Sequence, residues 1–156
     1  MYYMEYPSPI GPCLLSCDGY GITELRLGVS LPGDVKAESC PVLDAAARWL
    51  DDYFRGTCRE VDFSLTPRGT AFQQQVWDCL KKIPYGALCT YGDIAREIGC
   101  LSPQAVGQAV GRNPIAIIIP CHRVIGARGQ FIGYAWGVGK KKWLLEQEAR
   151  KKEIVP

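Results

Sequence analysis

Hydrophobic and polar positions in the first half of the chain predict a small domain of mixed α and β structure. Two strand-like runs within residues 13–28 flank the pair Asp18-Gly19, which is typical of a β-hairpin. Residues 42–54 then repeat hydrophobic side chains at helical spacing, and Gly56 follows them. No catalytic constellation is visible in this half.

Three further helices are predicted between residues 70 and 113, because polar capping residues precede inward-facing hydrophobic positions. The helices and their caps are residues 70–82 with Thr70, residues 91–99 with Thr90, and residues 103–113 with Ser102. The second and third are joined by a short turn and resemble a helix-turn-helix. The third is rich in small residues, which favours either close helix packing or a close approach to nucleic acid.

Length and hydrophobic content limit the architecture to one or two small domains, since the chain has 156 residues and is 47% hydrophobic. The sequence TPRG at residues 66–69 marks the predicted boundary, with one domain at 1–66 and another at 67–156. The apolar run at 115–119 is too short for a membrane span, and the start of the chain does not resemble a signal peptide. We therefore expect a soluble cytoplasmic protein that has no membrane partner.

Charge is distributed unevenly between these two parts. Residues 1–66 contain 5 Lys/Arg and 10 Asp/Glu, whereas residues 67–156 contain 13 and 6, so their net charges are −5 and +7. A basic second half favours an acidic partner, with nucleic acid as the leading candidate. An ordinary solvated basic face is the alternative interpretation.

The eight cysteines are expected to be free thiols in a reducing compartment. They are Cys13, Cys17, Cys40, Cys58, Cys79, Cys89, Cys100 and Cys121. Because no second cysteine pair stands at zinc-like spacing and His122 is the only histidine, the sequence predicts no metal site.

A thiol and an imidazole are adjacent at Cys121 and His122, within the sequence NPIAIIIPCHRVIG at residues 113–126. Together these two groups suggest nucleophilic chemistry. Consecutive residues on an extended strand point to opposite faces, however, so on the predicted strand the two side chains would not touch directly. Their adjacency alone leaves the reaction open.

Several motifs in the second half give the chain a resemblance to a known family. They are PCHRVIG after RNP, IPYG and TYGDIA upstream, and KKWLLEQE downstream. In this order, over about residues 69–148, they resemble the O6-alkylguanine-DNA alkyltransferase (methylated-DNA–protein-cysteine methyltransferase) family, and YPSPIGP near the start is similar to that family's N-terminal domain. The resemblance implies an α+β protein with a small ribonuclease-H-like domain and a mainly helical domain that has a helix-turn-helix.

The resemblance also implies a reaction and four catalytic residues. Cys121 would irreversibly accept the alkyl group from O6 of guanine, and from O4 of thymine, in double-stranded DNA after base flipping. His122 would remove the thiol proton through a water, Glu148 would orient His122, and Tyr91 would donate a proton to the leaving base. The protein would act once, as a monomer without a cofactor.

The roles of Glu148 and Tyr91 each have an alternative. Glu148 shares a helix face with Leu144 and Leu145, which turns its carboxylate toward the core side. A plain surface carboxylate in this charge-rich helix is the other interpretation. Tyr91 is equally compatible with a half-buried packing role.

Further site residues follow from the same resemblance. Those implied to form the base pocket are Asn113, Val124, Tyr134, Ala135 and Trp136, and those implied to contact DNA are Ser102, Gln104, Ala105, Gln108, Arg112 and Arg123. Ala135 departs mildly from the family pattern, since a serine is often found there, and two other departures matter more. Gln104 stands where an intercalating arginine is usual, and Trp136 stands where a small residue is usual, so DNA affinity and the range of accepted lesions are the properties expected to differ.

Two other classes of protein share part of this pattern. A cysteine hydrolase also uses a Cys–His–acid group, but it needs an oxyanion hole and repeated turnover. A non-catalytic protein that binds damaged DNA lacks the reactive cysteine, which this chain has at Cys121. Irreversible gain of one alkyl group distinguishes the alkyltransferase from both.

Overall fold

The computed structural model describes residues 1–130 and 134–154, with side chains up to Arg150. The chain forms two compact units, Met1–Arg68 and Gly69–Pro156, divided two residues after the boundary expected from the sequence. Within the described residues, no helix has the length and apolar character needed to cross a membrane.

A three-stranded antiparallel sheet forms the base of the first unit. Its strands, in spatial and chain order, are β1 (Tyr2–Ser8), β2 (Gly11–Cys17) and β3 (Ile22–Leu27). The predicted hairpin between β2 and β3 is confirmed. Its turn is held by the Asp18 carboxylate, which accepts hydrogen bonds from the Tyr20 amide at 2.8 Å and the Gly21 amide at 2.9 Å.

One helix, α1 (Pro41–Phe54), covers this sheet and confirms the predicted helix at residues 42–54. Its inward face consists of Leu43, Ala46, Leu50 and Tyr53, all buried. These positions follow the helical repeat, so one apolar stripe faces the strands while the charged residues face outward. The first unit therefore has its own hydrophobic core.

The described residues of the second unit contain four α-helices: α2 (Ala71–Leu80), α3 (Tyr91–Ile98), α4 (Pro103–Gly111) and α5 (Val138–Ile154). The capping residues predicted for α2, α3 and α4 are confirmed, since Thr70, Thr90 and Ser102 each accept a hydrogen bond from a backbone amide three residues later. Helix α4 ends at Gly111, two residues before the predicted end.

The predicted helix-turn-helix is formed by α3 and α4. Helix α3 ends at Ile98 and is followed by Gly99, whose φ of +71° is the left-handed conformation that glycine adopts without strain. Helix α2 supports the pair, because the buried Trp77 Nε1 donates a hydrogen bond to the Ala109 carbonyl at 2.9 Å. The second helix of the motif is thereby fixed against the core of its unit.

The prediction of a strand at the cysteine is wrong, because Cys121–Arg123 form a turn of 3-10 helix. The chain before it is folded back by the Asn113 side chain, which donates to the carbonyls of Ile115 and Ile119 and accepts from the Ile115 amide. These bonds satisfy locally the backbone groups that a neighbouring strand would otherwise pair.

Regular strand structure resumes only after this turn. Strand β5 (Val124–Ile125) pairs in parallel with β4 (Cys89–Thr90), a two-residue strand directly before α3. This pairing sets Val124 opposite Cys89 and Ile125 opposite Thr90. The cysteine turn is therefore placed next to the start of α3.

Candidate active site

Cys121 is a buried thiol, 5% exposed, in the turn that Asn113 braces. Burial raises the pKa of the thiol to about 11. Hydrogen bonding to Asn113, the positive charge of Lys141 and hydrogen bonding to Tyr134 act in the opposite direction. The thiol is thus protonated at neutral pH, although groups that stabilise its thiolate surround it.

Lys141 is a functional candidate that the sequence analysis missed. Its side chain is buried, and Nζ donates a hydrogen bond to the Val124 carbonyl at 2.5 Å. Burial lowers the pKa of Lys141, while the nearby Cys121 raises it. The sequence did contain a sign that Lys141 faces inward, because Lys141, Leu144 and Glu148 lie on one helix face. The run of three lysines, however, resembles a solvated surface.

His122 and Glu148 form a hydrogen-bonded pair in the interior. His122 Nε2 lies 2.5 Å from Glu148 Oε2, and the side chains are 0% and 1% exposed. Because an ionised carboxylate only accepts hydrogen bonds, Nε2 must carry the hydrogen. The other ring nitrogen, Nδ1, is buried and has no hydrogen-bond partner among the described residues, so its lone pair can accept a proton.

Burial is the main influence on the protonation of His122. It lowers the pKa of the imidazole, and the hydrogen bond to Glu148 opposes that shift. A neutral imidazole at physiological pH is the form that removes protons. Burial of His122 therefore favours the neutral imidazole.

Arg123 occupies a different place from the one expected of a DNA contact. Its side chain is 9% exposed, with Nε 2.8 Å from Glu148 Oε1, Nη2 3.2 Å from Glu148 Oε2, and Nη1 2.8 Å from the Ile83 carbonyl. The guanidinium also lies over the Tyr85 ring. We correct its role to that of an internal partner of Glu148, because a guanidinium held by three groups in the interior is not available to phosphates.

Among the described residues, donors to the Glu148 carboxylate include the Gly86 amide, His122 Nε2 and two nitrogens of Arg123. Burial alone would raise the pKa of this carboxyl group. The hydrogen bonds and charges of His122 and Arg123 outweigh burial and lower the pKa to about 2. Glu148 is therefore the buried ionised carboxylate that the helix spacing predicted, and the surface alternative is wrong.

Tyr91 begins helix α3 and is half-buried. Burial raises the pKa of its phenol, and the nearby Cys121 raises it further. Tyr91 therefore belongs to the same site as Cys121. Helix α4 approaches the Tyr91 ring at Gly107, where an added Cβ would lie 3.7 Å from Cδ1 of the ring. The small residues of α4 thus serve close packing on its inner side.

An open pocket of about 770 Å³ lies between the start of α3, helix α4 and the loop after β5. Tyr91 lines it, together with Gly92, Pro103, Gln104, Gly107, Gln108, Gly126, Ala127 and Gln130. Gln104 and Gln108 are exposed at its edge. The pocket therefore connects a candidate catalytic side chain with the outer face of the helix-turn-helix.

The remaining predicted residues are distributed around this site. Ser102 is exposed and caps α4, while Ala105 and Arg112 line a second surface groove with Thr70 and Gln73. Tyr134 is buried, Ala135 is exposed and Trp136 is partly exposed. The loop that holds Tyr134 includes residues 131–133, which lie outside the described part of the chain, and the binding roles of all these residues stay predictions.

Comparison with known proteins identifies the family. The family model for the DNA-binding domain of 6-O-methylguanine DNA methyltransferase matches residues 71–150, and the model for its ribonuclease-like domain matches residues 1–67. The chain belongs to this family. Both domain types agree with the fold class predicted from the sequence.

Individual members of the family are similar over almost their whole length. A methylated-DNA–protein-cysteine methyltransferase of Methanosarcina acetivorans is 46% identical over 154 residues, covering 95% of this chain and 98% of the relative. One of Mycobacterium tuberculosis is 44% identical, covering 95% and 92%. The crystal structure of Mycobacterium tuberculosis OGT in complex with DNA superposes with a TM-score of 0.87 at 43% identity, covering 97% and 94% of the two chains.

Neither disulfides nor metal-binding clusters occur in the described part of this family member. All eight cysteines are free thiols. No group of three or more His, Cys, Asp or Glu side chains within the described residues is arranged to hold a metal ion.

The low pKa of Glu148 predicts how the free energy of unfolding depends on pH. A carboxyl group with a lowered pKa in the folded state stabilises the protein above its unfolded pKa of 4.5, and this contribution is lost as the pH falls toward about 2. We expect the stability advantage of the natural protein over Glu148→Gln to decrease by about 3 kcal/mol between pH 5 and pH 2. Urea denaturation across this range measures the difference.

The matched control is Glu146→Gln, which changes an exposed carboxylate on the same helix and should cost little at any pH. A stability difference for Glu148→Gln that stays constant from pH 5 to pH 2 would contradict the assigned ionisation.

Proposed function

We propose that this protein repairs alkylated DNA by transferring the alkyl group from O6 of guanine, or from O4 of thymine, to Sγ of Cys121. The observation that carries the proposal is the buried His122–Glu148 pair beside Cys121, in a member of this methyltransferase family. The relatives are named for methyl transfer from DNA to a protein cysteine. Here Cys121 is the acceptor.

Proton removal from Cys121 begins the reaction. With a thiol pKa of about 11, only about one molecule in 10⁴ is a thiolate at pH 7 without help. The Nδ1 lone pair of His122 takes the thiol proton through a bridging water, while Nε2 stays bonded to Glu148. Lys141 lowers the energy of the thiolate through its positive charge.

Alkyl transfer is then a displacement at carbon. The thiolate forms an S–C bond as the C–O bond to guanine breaks, and the bonding electrons pass to the base. The Tyr91 hydroxyl donates a proton to the leaving base and is reprotonated from His122, so that the products are an S-alkylcysteine and an unmodified guanine. Because a thioether is a poor leaving group, each protein molecule acts once.

The damaged base must leave the duplex to reach Cys121. We propose that α4 enters the DNA groove with Gln104 at the vacated position, because Gln104 and Gln108 border the pocket that Tyr91 lines. Asn113, Val124, Tyr134, Ala135 and Trp136 would surround the flipped base. Duplex DNA with an alkylated base is therefore the proposed substrate.

A reducing compartment such as the cytoplasm suits this chemistry. Cys121 must be a free thiol to react, and all eight cysteines are free. The transfer as written needs no cofactor, because the thiol itself accepts the alkyl group.

The identity of the acceptor is tested by mass spectrometry after incubation with duplex DNA containing O6-methylguanine. We expect the natural protein to gain one methyl group stoichiometrically and Cys121→Ala to gain none, while DNA binding is retained. Cys58→Ala is the control, because Cys58 is exposed and more open to nonspecific alkylation. Methyl transfer by Cys121→Ala would exclude Cys121 as the acceptor.

The role of His122 as a base predicts a pH rescue. Single-turnover rates of His122→Ala should fall by about 10²–10⁴ at pH 7 and recover roughly tenfold per pH unit, because hydroxide forms the thiolate up to the thiol pKa of about 11. The natural protein should show a flatter profile. A rate that stays equally low from pH 7 to pH 10 would instead indicate that His122 only positions the thiol.

Gln104 predicts a difference between duplex and free-base substrates. Gln104→Arg should tighten duplex binding and speed repair of methylated duplex, because a planar cation attracts phosphates and stacks between bases. Repair of free O6-methylguanine needs no flipping and should change little. Transfer rates on both substrates measure the effect.

Gln108→Arg is the matched control for charge, since it lies one turn along the same exposed face. It should strengthen binding without the selective gain in duplex repair rate. Equal changes on duplex and free base in Gln104→Arg would show that another residue fills the vacated position.

A further inference from the structure

Two thiols in the first unit lie against each other. Cys17 Sγ and Cys40 Sγ are 3.3 Å apart, although the residues are 23 positions apart in the chain. Cys17 is buried at the end of β2, and Cys40 is partly exposed directly before α1. Since a disulfide S–S bond is about 2.05 Å long, the sulfurs need to approach by little more than 1 Å to bond.

The position of Cys40 is unusual for a cysteine. It is the N-cap of α1, with extended backbone angles of φ −145° and ψ 166°, yet its side chain accepts no hydrogen bond from the helix. Ser, Thr, Asp or Asn normally occupies such a position and caps the helix. Here the side chain is directed at Cys17 instead, so helix capping does not account for this residue.

Other thiols in the protein have different neighbours. Those of Cys79, Cys89 and Cys100 contact oxygen atoms of a carboxylate or of backbone carbonyls. Cys17 and Cys40 differ because their sulfur atoms contact each other directly. A thiol–thiol contact is the arrangement from which a disulfide forms.

We propose that Cys17 and Cys40 form a reversible dithiol–disulfide site that is oxidised by a small disulfide such as oxidised glutathione. The Cys40 thiolate attacks one glutathione sulfur, which forms a mixed disulfide and releases one glutathione thiolate. The Cys17 thiolate then attacks the Cys40 sulfur and releases the second. The protein loses two hydrogens, and oxidised glutathione is reduced to two molecules of glutathione.

The environment of each thiol sets this order. The pKa of Cys17 is raised to about 11, mainly by burial. A hydrogen bond from the Gly19 amide lowers this pKa in part, and the neighbouring Cys40 raises it. Cys40 is the thiol that solvent reaches, so it meets the oxidant first. The cross-link would join the end of β2 to the start of α1 and restrict the unfolded chain, which stabilises the folded state.

Thiol mapping at a series of ratios of reduced to oxidised glutathione tests the proposal. After acid quenching, free thiols are alkylated and the digested protein is analysed by mass spectrometry. We expect a Cys17–Cys40 linked peptide at ratios where exposed Cys58 is still a free thiol or is joined to glutathione, and dithiothreitol should remove it. Oxidation should also raise the melting temperature by several degrees.

Two variants distinguish the pair from general oxidation. Cys40→Ser should lose both the linked peptide and the rise in melting temperature, whereas Cys58→Ser should retain both. The proposal is overturned if Cys17 and Cys40 are both alkylated as free thiols where Cys58 is fully joined to glutathione. Linkage of either residue to another cysteine, or an equal rise in melting temperature for Cys40→Ser, would also overturn it.

Discussion

The ionised carboxylate of Glu148, buried within the second unit, is the constraint on which its active site depends. It joins three separate parts of the chain, because helix α5 carries it, the cysteine turn supplies His122 and Arg123, and the loop before β4 supplies the Gly86 amide. A buried carboxylate without such partners would cost several kcal/mol. The same contacts that make its burial tolerable also fix His122 next to Cys121, so folding and catalytic geometry have a common origin.

Charge balance explains why Arg123 belongs to this group. The guanidinium neutralises Glu148, which allows the adjacent His122 to remain a neutral base in spite of the carboxylate. Lys141 remains as the positive charge near Cys121, where it favours the thiolate over the thiol. Two cations and one anion leave a net charge of +1 at the site, and transfer of the thiol proton to His122 does not change that total.

Local signals allowed most of the fold to be predicted, whereas long-range contacts did not show in the sequence. Thr70, Thr90 and Ser102 cap their helices through neighbours three residues away, so their patterns are readable directly. The cysteine turn depends on the Asn113 side chain, which hydrogen-bonds backbone groups that a neighbouring strand would otherwise pair. The apolar run at residues 115–119, between Asn113 and the turn, resembles a strand in the sequence. Arg123 lies 25 residues from Glu148, and basic residues beside a DNA-binding motif are expected to contact DNA. Only the structure shows that this arginine is internal.

Burial of Cys121 disfavours the thiolate, which is the nucleophilic form, because it raises the thiol pKa to about 11. The raised pKa has an advantage for a residue that acts once. A protonated, 5% exposed thiol reacts poorly with oxidants and other electrophiles, so it is preserved until its substrate arrives. Nucleophilicity also increases with thiol pKa, so the thiolate of the proposed mechanism is more reactive than that of an acidic thiol. Burial therefore keeps the thiol unreactive until a base removes its proton, which is the role proposed for His122.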